Sequence, residues 1–219
     1  MTSEEIRNYA VNRYEELLES VSRDGIDRLM EFVRKSDFYK APASTRFHGS
    51  HEGGLLEHSL NVYERLMDKE NNPVWSEIYK DIDTDSFIIV ALLHDVCKTY
   101  YYSMELRNQK TYDENKVANA EKWQVKHDNN GDFIWETVPA YVVDDKIPYG
   151  HGEKSVMMIE EYIKLKPVER YAIRWHMGPY SGQQDWNTLG TAMEKYPLVL
   201  ALFEADMEAS RIIEKEEEN

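Results

Sequence analysis

His94, Asp95 and Lys98 put an imidazole, a carboxylate and an ammonium at the end of the apolar run Phe87–Leu93. On a continuous helix, His94 and Lys98 would share one stripe, with Asp95 about 100° round and one turn from Lys98. All three would then border one cavity. Groups of these types can hold a metal ion and offset the charge of a phosphoryl group. Taken alone, the doublet has an ordinary alternative: a core histidine bonded to a carbonyl, with an Asp–Lys pair on the surface.

The rest of the chain supplies partners of the right kind. His58 lies in GGLLEHSL, His151 in YGHGEKS at a helix start, His176 in IRWHMGPY at a helix end, and Asp206 in FEADMEAS. Apolar residues at helical spacing flank each one, so each can project into a helix bundle, where facing helices commonly build metal sites. Four imidazoles and two carboxylates suit one or two divalent ions (Mn, Fe, Co, Zn, Ni or Mg), with one carboxylate shared. Mixed nitrogen and oxygen ligation disfavours Ca and leaves positions open for water and substrate.

The ordered set His58, His94-Asp95, His151, His176 and Asp206 resembles the metal-binding signature of the HD-domain phosphohydrolase superfamily. In style, GGLLEHSL, LLHDVCK, GHGEKS and WHMG are similar to the HD domains related to 3′→5′ exoribonucleases, over roughly residues 46–210. The resemblance implies an all-α HD-type helical bundle and a metal-dependent phosphohydrolase. It implies that His58, His94, Asp95 and Asp206 hold a first ion, and that Asp95 bridges to a second held by His151 and His176. Asp95 and Lys98 would be the catalytic pair, Lys98 facing the phosphoryl oxygens. No OB-fold segment is visible ahead of the domain, so processive RNA degradation is not expected.

Substrate-binding candidates carry weaker signals. Arg46 and His48 precede the Gly53-Gly54 pair and can contact phosphate or be ordinary loop residues. Lys154 stands one turn after His151 and can face the site, but a lysine on the helix surface is the expected reading. Tyr180 and Trp186 follow His176 and can stack on a base or simply pack. Cys97, the lone cysteine, reads as a small apolar core residue.

The elements that must position these groups are mostly helical. Apolar residues recur at helical period from Thr2 to Ser36, with a break at Asp24-Gly25, so two helices are expected within residues 3–36. Asp37 to Gly54 is a long aperiodic loop. His58 falls about one turn into the next helix. The segment from Thr84 opens with a Thr or Asp cap and becomes a helix buried on most sides. Residues 99–145 alternate tyrosines and β-branched residues with polar ones around Asn-Asn-Gly-Asp, which predicts a small β-hairpin insertion. Together with the long loop, the hairpin is expected to shape a pocket over the metals. Helical period returns at GEKSVMMIEEYIKL, at PVERYAIRWH with proline in the first turn, and at YPLVLALFEADMEASRII. EKEEEN, residues 214–219, reads as a solvated acidic tail. A single domain over residues 1–219 is expected.

The formal net charge of −15 and the 42% hydrophobic content narrow the function classes. An acidic surface repels polyanions, so duplex nucleic acid is an unlikely partner and a phosphate-bearing ligand needs a local positive feature. A small phosphorylated substrate, such as a nucleotide, fits that requirement. No segment resembles a signal peptide or is long enough to span a bilayer, and a cytoplasmic location is expected. Two alternatives share the same site: a 3′→5′ nuclease on short single strands, and an HD-fold module that binds a ligand without turnover.

Overall fold

The computed structural model describes residues 2–215. The chain forms two compact units, one made of the residues up to Tyr102 with those from Asp144 onward, the other of Ser103–Val143.

The larger unit is helical. Helices α1 (Ser3–Glu19) and α2 (Ile26–Lys35) are followed, after the long loop, by α3 (Gly54–Asp68), α4 (Pro73–Tyr79) and α5 (Thr84–Leu93). Thr2 and Glu5 form a capping box at the start of α1, each side chain accepting the other's backbone N–H. Asp83 caps α5 by accepting from Ser86 N at 3.2 Å, one residue ahead of the expected Thr or Asp.

Ser86 to Leu93 are all buried, which makes α5 the centre of the core. Helix α3 packs on α5, and Tyr14 ties α1 to the same helix by donating to the Leu92 carbonyl at 3.0 Å. A helix apolar all round must be covered all round, which places α5 in the middle of the bundle.

The smaller unit starts where strand β1 (Tyr102–Thr111) leaves the helical unit. It continues through a short helix, α6 (Glu114–Asn119), and strands β2 (Lys126–Asp128) and β3 (Gly131–Val143). The strands form one sheet in the order β1-β3-β2, with β2 antiparallel to β3 and Asp128 opposite Gly131. The expected two-stranded hairpin is therefore a three-stranded sheet with a helical turn inside it. The short β2 pairs through the predicted Asn-Asn-Gly turn, while the sequence between β1 and β2 shows no helical period.

The remaining helices are α7 (His151–Glu160), α8 (Pro167–Trp175), α9 (Trp186–Lys195) and α10 (Pro197–Glu208), the last running into a π-helical turn at Ala209–Ile213. Helix α10 packs on α3 and α8, and α7 on α8. A Cβ on Gly152 would overlap the Arg174 carbonyl, so glycine after His151 is what lets α7 approach the end of α8. Among the described residues no helix is long and apolar enough to cross a membrane.

Candidate metal centre

Helix α5 does not continue through the chemistry-bearing residues. It ends at Leu93, His94 is its C-cap, Asp95 turns away at φ −109° and ψ 18°, and Val96–Lys98 form a separate 3-10 turn. The expected helical stripe joining His94 and Lys98 is thus replaced by a turn. The change serves the same groups differently: Asp95 Oδ2 lies 2.7 Å from Lys98 Nζ and 3.5 Å from His94 Nε2.

His58, on α3, enters this group from the side. Its Nε2 lies 3.3 Å from His94 Nε2, 3.4 Å from Asp206 Oδ1 and 3.8 Å from Asp95 Oδ2. His58, His94, Asp95 and Asp206 are all buried. The other ring nitrogens explain the orientation. His94 Nδ1 donates to the Ala91 carbonyl at 2.8 Å, and His176 Nδ1 to the Ile173 carbonyl at 2.7 Å. A carbonyl only accepts, so each ring, when neutral, carries its proton on Nδ1 and turns a bare Nε2 inward.

Bare nitrogens and carboxylate oxygens converging in a buried space are a donor set that could hold a cation. Asp95 Oδ1 and His176 Nε2 are 3.4 Å apart, and both are buried without a hydrogen-bond partner. Unsatisfied buried acceptors of this kind are costly, and metal ligation would satisfy them. Among the described residues, His58, His94 and Asp95 form one trio whose donor atoms lie within 4.8 Å of one another. This donor set, imidazole with carboxylate, fits a divalent transition metal.

The electrostatics agree. Burial pulls His58 down, but hydrogen bonds to Asp206 and Glu214 outweigh it and raise the imidazole to about 10. The ring thus holds a proton where a metal would otherwise balance the carboxylates. Burial lowers His94 to about 4. It would raise Asp206, yet the His58 hydrogen bond brings that carboxyl to about 2. For Asp95, burial is again overcome, by the Lys98 and histidine charges, and the carboxyl sits well below its usual range.

The expected second pair is less closely assembled. His176 reaches Asp95, but His151 joins no such trio among the described residues, and its Nδ1 lies 3.5 Å from the Cys97 thiol. The Tyr101 ring stacks edge-on to His151 at 5.5 Å.

The loop candidates divide. The His48 ring sits 4.9 Å from that of His58, whereas Arg46 is exposed. Lys154 is buried, paired with Asp145 at 2.5 Å and placed 4.9 Å over the Tyr101 ring, which corrects the surface position expected for it. Tyr180 and Trp186 are exposed, Trp186 donating to the Pro179 carbonyl. Beside Thr99, a cavity of about 600 Å³ is walled by Phe32, Tyr100, Tyr102 and Tyr162. None of the candidate metal ligands lines it, so the convergence of buried donors defines the site better than the concavity does.

Sequence reasoning missed one residue. Glu214, assigned to a solvated tail, instead holds His58 Nδ1 with both carboxylate oxygens at 3.1 Å. Residues 216–219 of that tail lie outside the described residues. Nothing in the run Glu-Lys-Glu-Glu-Glu distinguishes its first glutamate; the signal is the preceding π-helical turn, visible only in the fold.

No family model and no solved structure matches the chain. Over 64 residues it is 39% identical to the dihydroneopterin 2′,3′-cyclic phosphate phosphodiesterase of Methanocaldococcus jannaschii. The similarity covers 29% of this chain and 25% of that protein, so the match spans a quarter of the relative's length.

Proposed function

We infer that the chain is an HD-type, metal-dependent phosphohydrolase that cleaves a small phosphate ester, with a cyclic or open phosphodiester of a nucleotide-like compound as the favoured substrate class. The observation that carries this reading is the convergence of His58 Nε2, His94 Nε2, Asp95 Oδ2 and Asp206 Oδ1 around one buried point. The partial similarity to a cyclic phosphate phosphodiesterase supports the ester class.

His58, His94, Asp95 and Asp206 would hold one ion, and His176 with the free oxygen of Asp95 would face a second if one binds. A bound divalent cation supplies a water of lowered pKa and polarises the phosphoryl oxygens. Hydrolysis adds the water oxygen to phosphorus, breaks one P–O ester bond and returns a proton to the leaving oxygen.

The chain's own contribution is positional and electrostatic. Lys98 directs Nζ at Asp95 Oδ2 and at the Ala43 carbonyl, each at 2.7 Å. Burial works against its charge, but Asp95 raises the ammonium above its usual value, so it stays cationic. Its third N–H remains for a phosphoryl oxygen, where a fixed positive charge counts most in a water-poor site. His48, lowered to about 4 by burial and by His58, would border the substrate as a neutral ring.

The test is elemental analysis of the purified chain followed by Mn(II)-supplemented assays on a 2′,3′-cyclic nucleotide, a nucleoside monophosphate, a simple phosphodiester and short RNA. Turnover of a small ester is expected. Lys98→Ala should lower kcat by about 10²–10³-fold with metal content intact; loss of metal instead would reassign Lys98 to the metal site. RNA as the only substrate cleaved would favour the nuclease alternative. No turnover on any compound would leave a binding module.

A further inference from the structure

The geometry points to Glu214 as the positioning residue of the centre: its carboxylate holds His58 Nδ1–H and thereby aims His58 Nε2 at the metal position. The inference rests on the reading of His58 as a metal ligand.

Three observations carry it. Both Glu214 oxygens stand 3.1 Å from His58 Nδ1, so the ring is gripped symmetrically and not brushed by a passing side chain. Asn61, one turn further along α3 from His58, donates Nδ2–H to Glu214 Oε1 at 2.9 Å, which fixes the carboxylate in place. The Glu214 side chain is only 9% exposed although its neighbours Ile212, Ile213 and Lys215 are exposed.

The backbone is arranged for this contact. After Glu208 the helix widens into the π-helical turn Ala209–Ile213, closed by Glu214 N donating to the Ala209 carbonyl at 2.9 Å. One extra residue per turn rotates the next side chain away from its place on a regular helix, and such turns gather at functional sites. Here the rotation delivers Glu214 to the ring that Asp206, two turns earlier on the same segment, meets from its other nitrogen at 3.4 Å.

His94 and His176 have their Nδ1 protons fixed by neutral carbonyls, whereas His58 alone of the three has a carboxylate there. A carboxylate behind an imidazole fixes the tautomer and raises the ring's basicity toward a metal. Glu214 would therefore make His58 the strongest nitrogen donor of the centre.

The experiment titrates Zn(II) into metal-stripped wild type, Glu214→Gln and Glu214→Ala, with circular dichroism as the folding control. The His58 Nδ1–H resonance is followed by NMR in the metal-free and loaded proteins. Glu214→Ala is expected to weaken Zn(II) binding about 10–100-fold at unchanged stoichiometry and to lose the downfield, slowly exchanging Nδ1–H signal. Glu214→Gln, which keeps an acceptor without the charge, should recover part of both. Unchanged affinity and an unchanged signal in both variants overturn the proposal alone. A drop in stoichiometry by one ion also overturns it, making Glu214 a ligand in its own right with His48. Failure of the wild type to take up Zn(II) contradicts the functional reading and this proposal together.

Discussion

His58 Nε2 and His94 Nε2 face each other across 3.3 Å in a space closed to water. With both Nδ1 atoms donating to oxygen acceptors, two neutral rings would meet here lone pair to lone pair, so a cation between them or a proton on one Nε2 relieves the contact. In the metal-free chain that is the proton on His58, held by Asp206 and Glu214. The rest of the helical unit keeps this arrangement in place, and its supports can be tested one at a time.

Glu169 is one such support. Fully buried, it accepts from both Arg23 Nη groups at 2.8 and 3.1 Å, from Ser86 Oγ at 2.7 Å and from Lys166 N at 2.6 Å, joining the starts of α5 and α8. Glu169→Ala would leave the largely buried Arg23 guanidinium without its carboxylate partner, with only the Lys164 carbonyl still accepting from it at 3.1 Å. Urea unfolding should show a loss of roughly 3–5 kcal/mol, the cost of breaking a buried pair from one side, with Glu169→Gln losing less.

Cys97 lies one residue from Lys98, yet burial raises its thiol to about 12. A thiol that stays protonated and inaccessible is no nucleophile. Ellman's reagent at about pH 8 should leave the native chain untouched and titrate the lone cysteine after unfolding in guanidinium.

Asp83 gives the acid limb of stability a defined contributor. Burial would raise its carboxyl, but hydrogen bonds from Lys166 and Ser86 prevail and lower it. A carboxyl lowered in the folded state contributes stability above its unfolded value, about 3.9, and loses that contribution as pH falls through the folded one. Asp83→Asn should therefore lower the melting temperature at neutral pH and flatten its decline below about pH 4.

How much of this was legible in the sequence depends on the range over which each signal acts. Periodicity marked the helices carrying His58, Asp206 and the buried α5 because a core face repeats every 3.6 residues. It could not show α5 stopping at Leu93, since His94-Asp95-Val96 continues the pattern of side chains while the backbone leaves it. Lys154 read as a surface residue because its partner, Asp145, lies in a loop whose position no local rule gives. Glu214 was hidden by its own neighbours: an acidic run looks solvated, and only a π-helical turn singles out its first member. The alternation of residues 99–145 announced strands, but the pairing order β1-β3-β2 depends on contacts between segments far apart in the chain.

The Mn(II) dependence of phosphodiester hydrolysis by the wild type and Asp95→Ala, measured on metal-stripped protein with increasing Mn(II), tests the proposed centre most directly. Asp95 touches His94, His58, His176 and Lys98 at once, so its loss should abolish the centre and not merely weaken it. The predicted result is no turnover without Mn(II), saturable activation of the wild type, and a fall of at least about 10³-fold in Asp95→Ala at every Mn(II) concentration. Hydrolysis that is equal in the two proteins, or that proceeds unchanged in the stripped wild type, would contradict it.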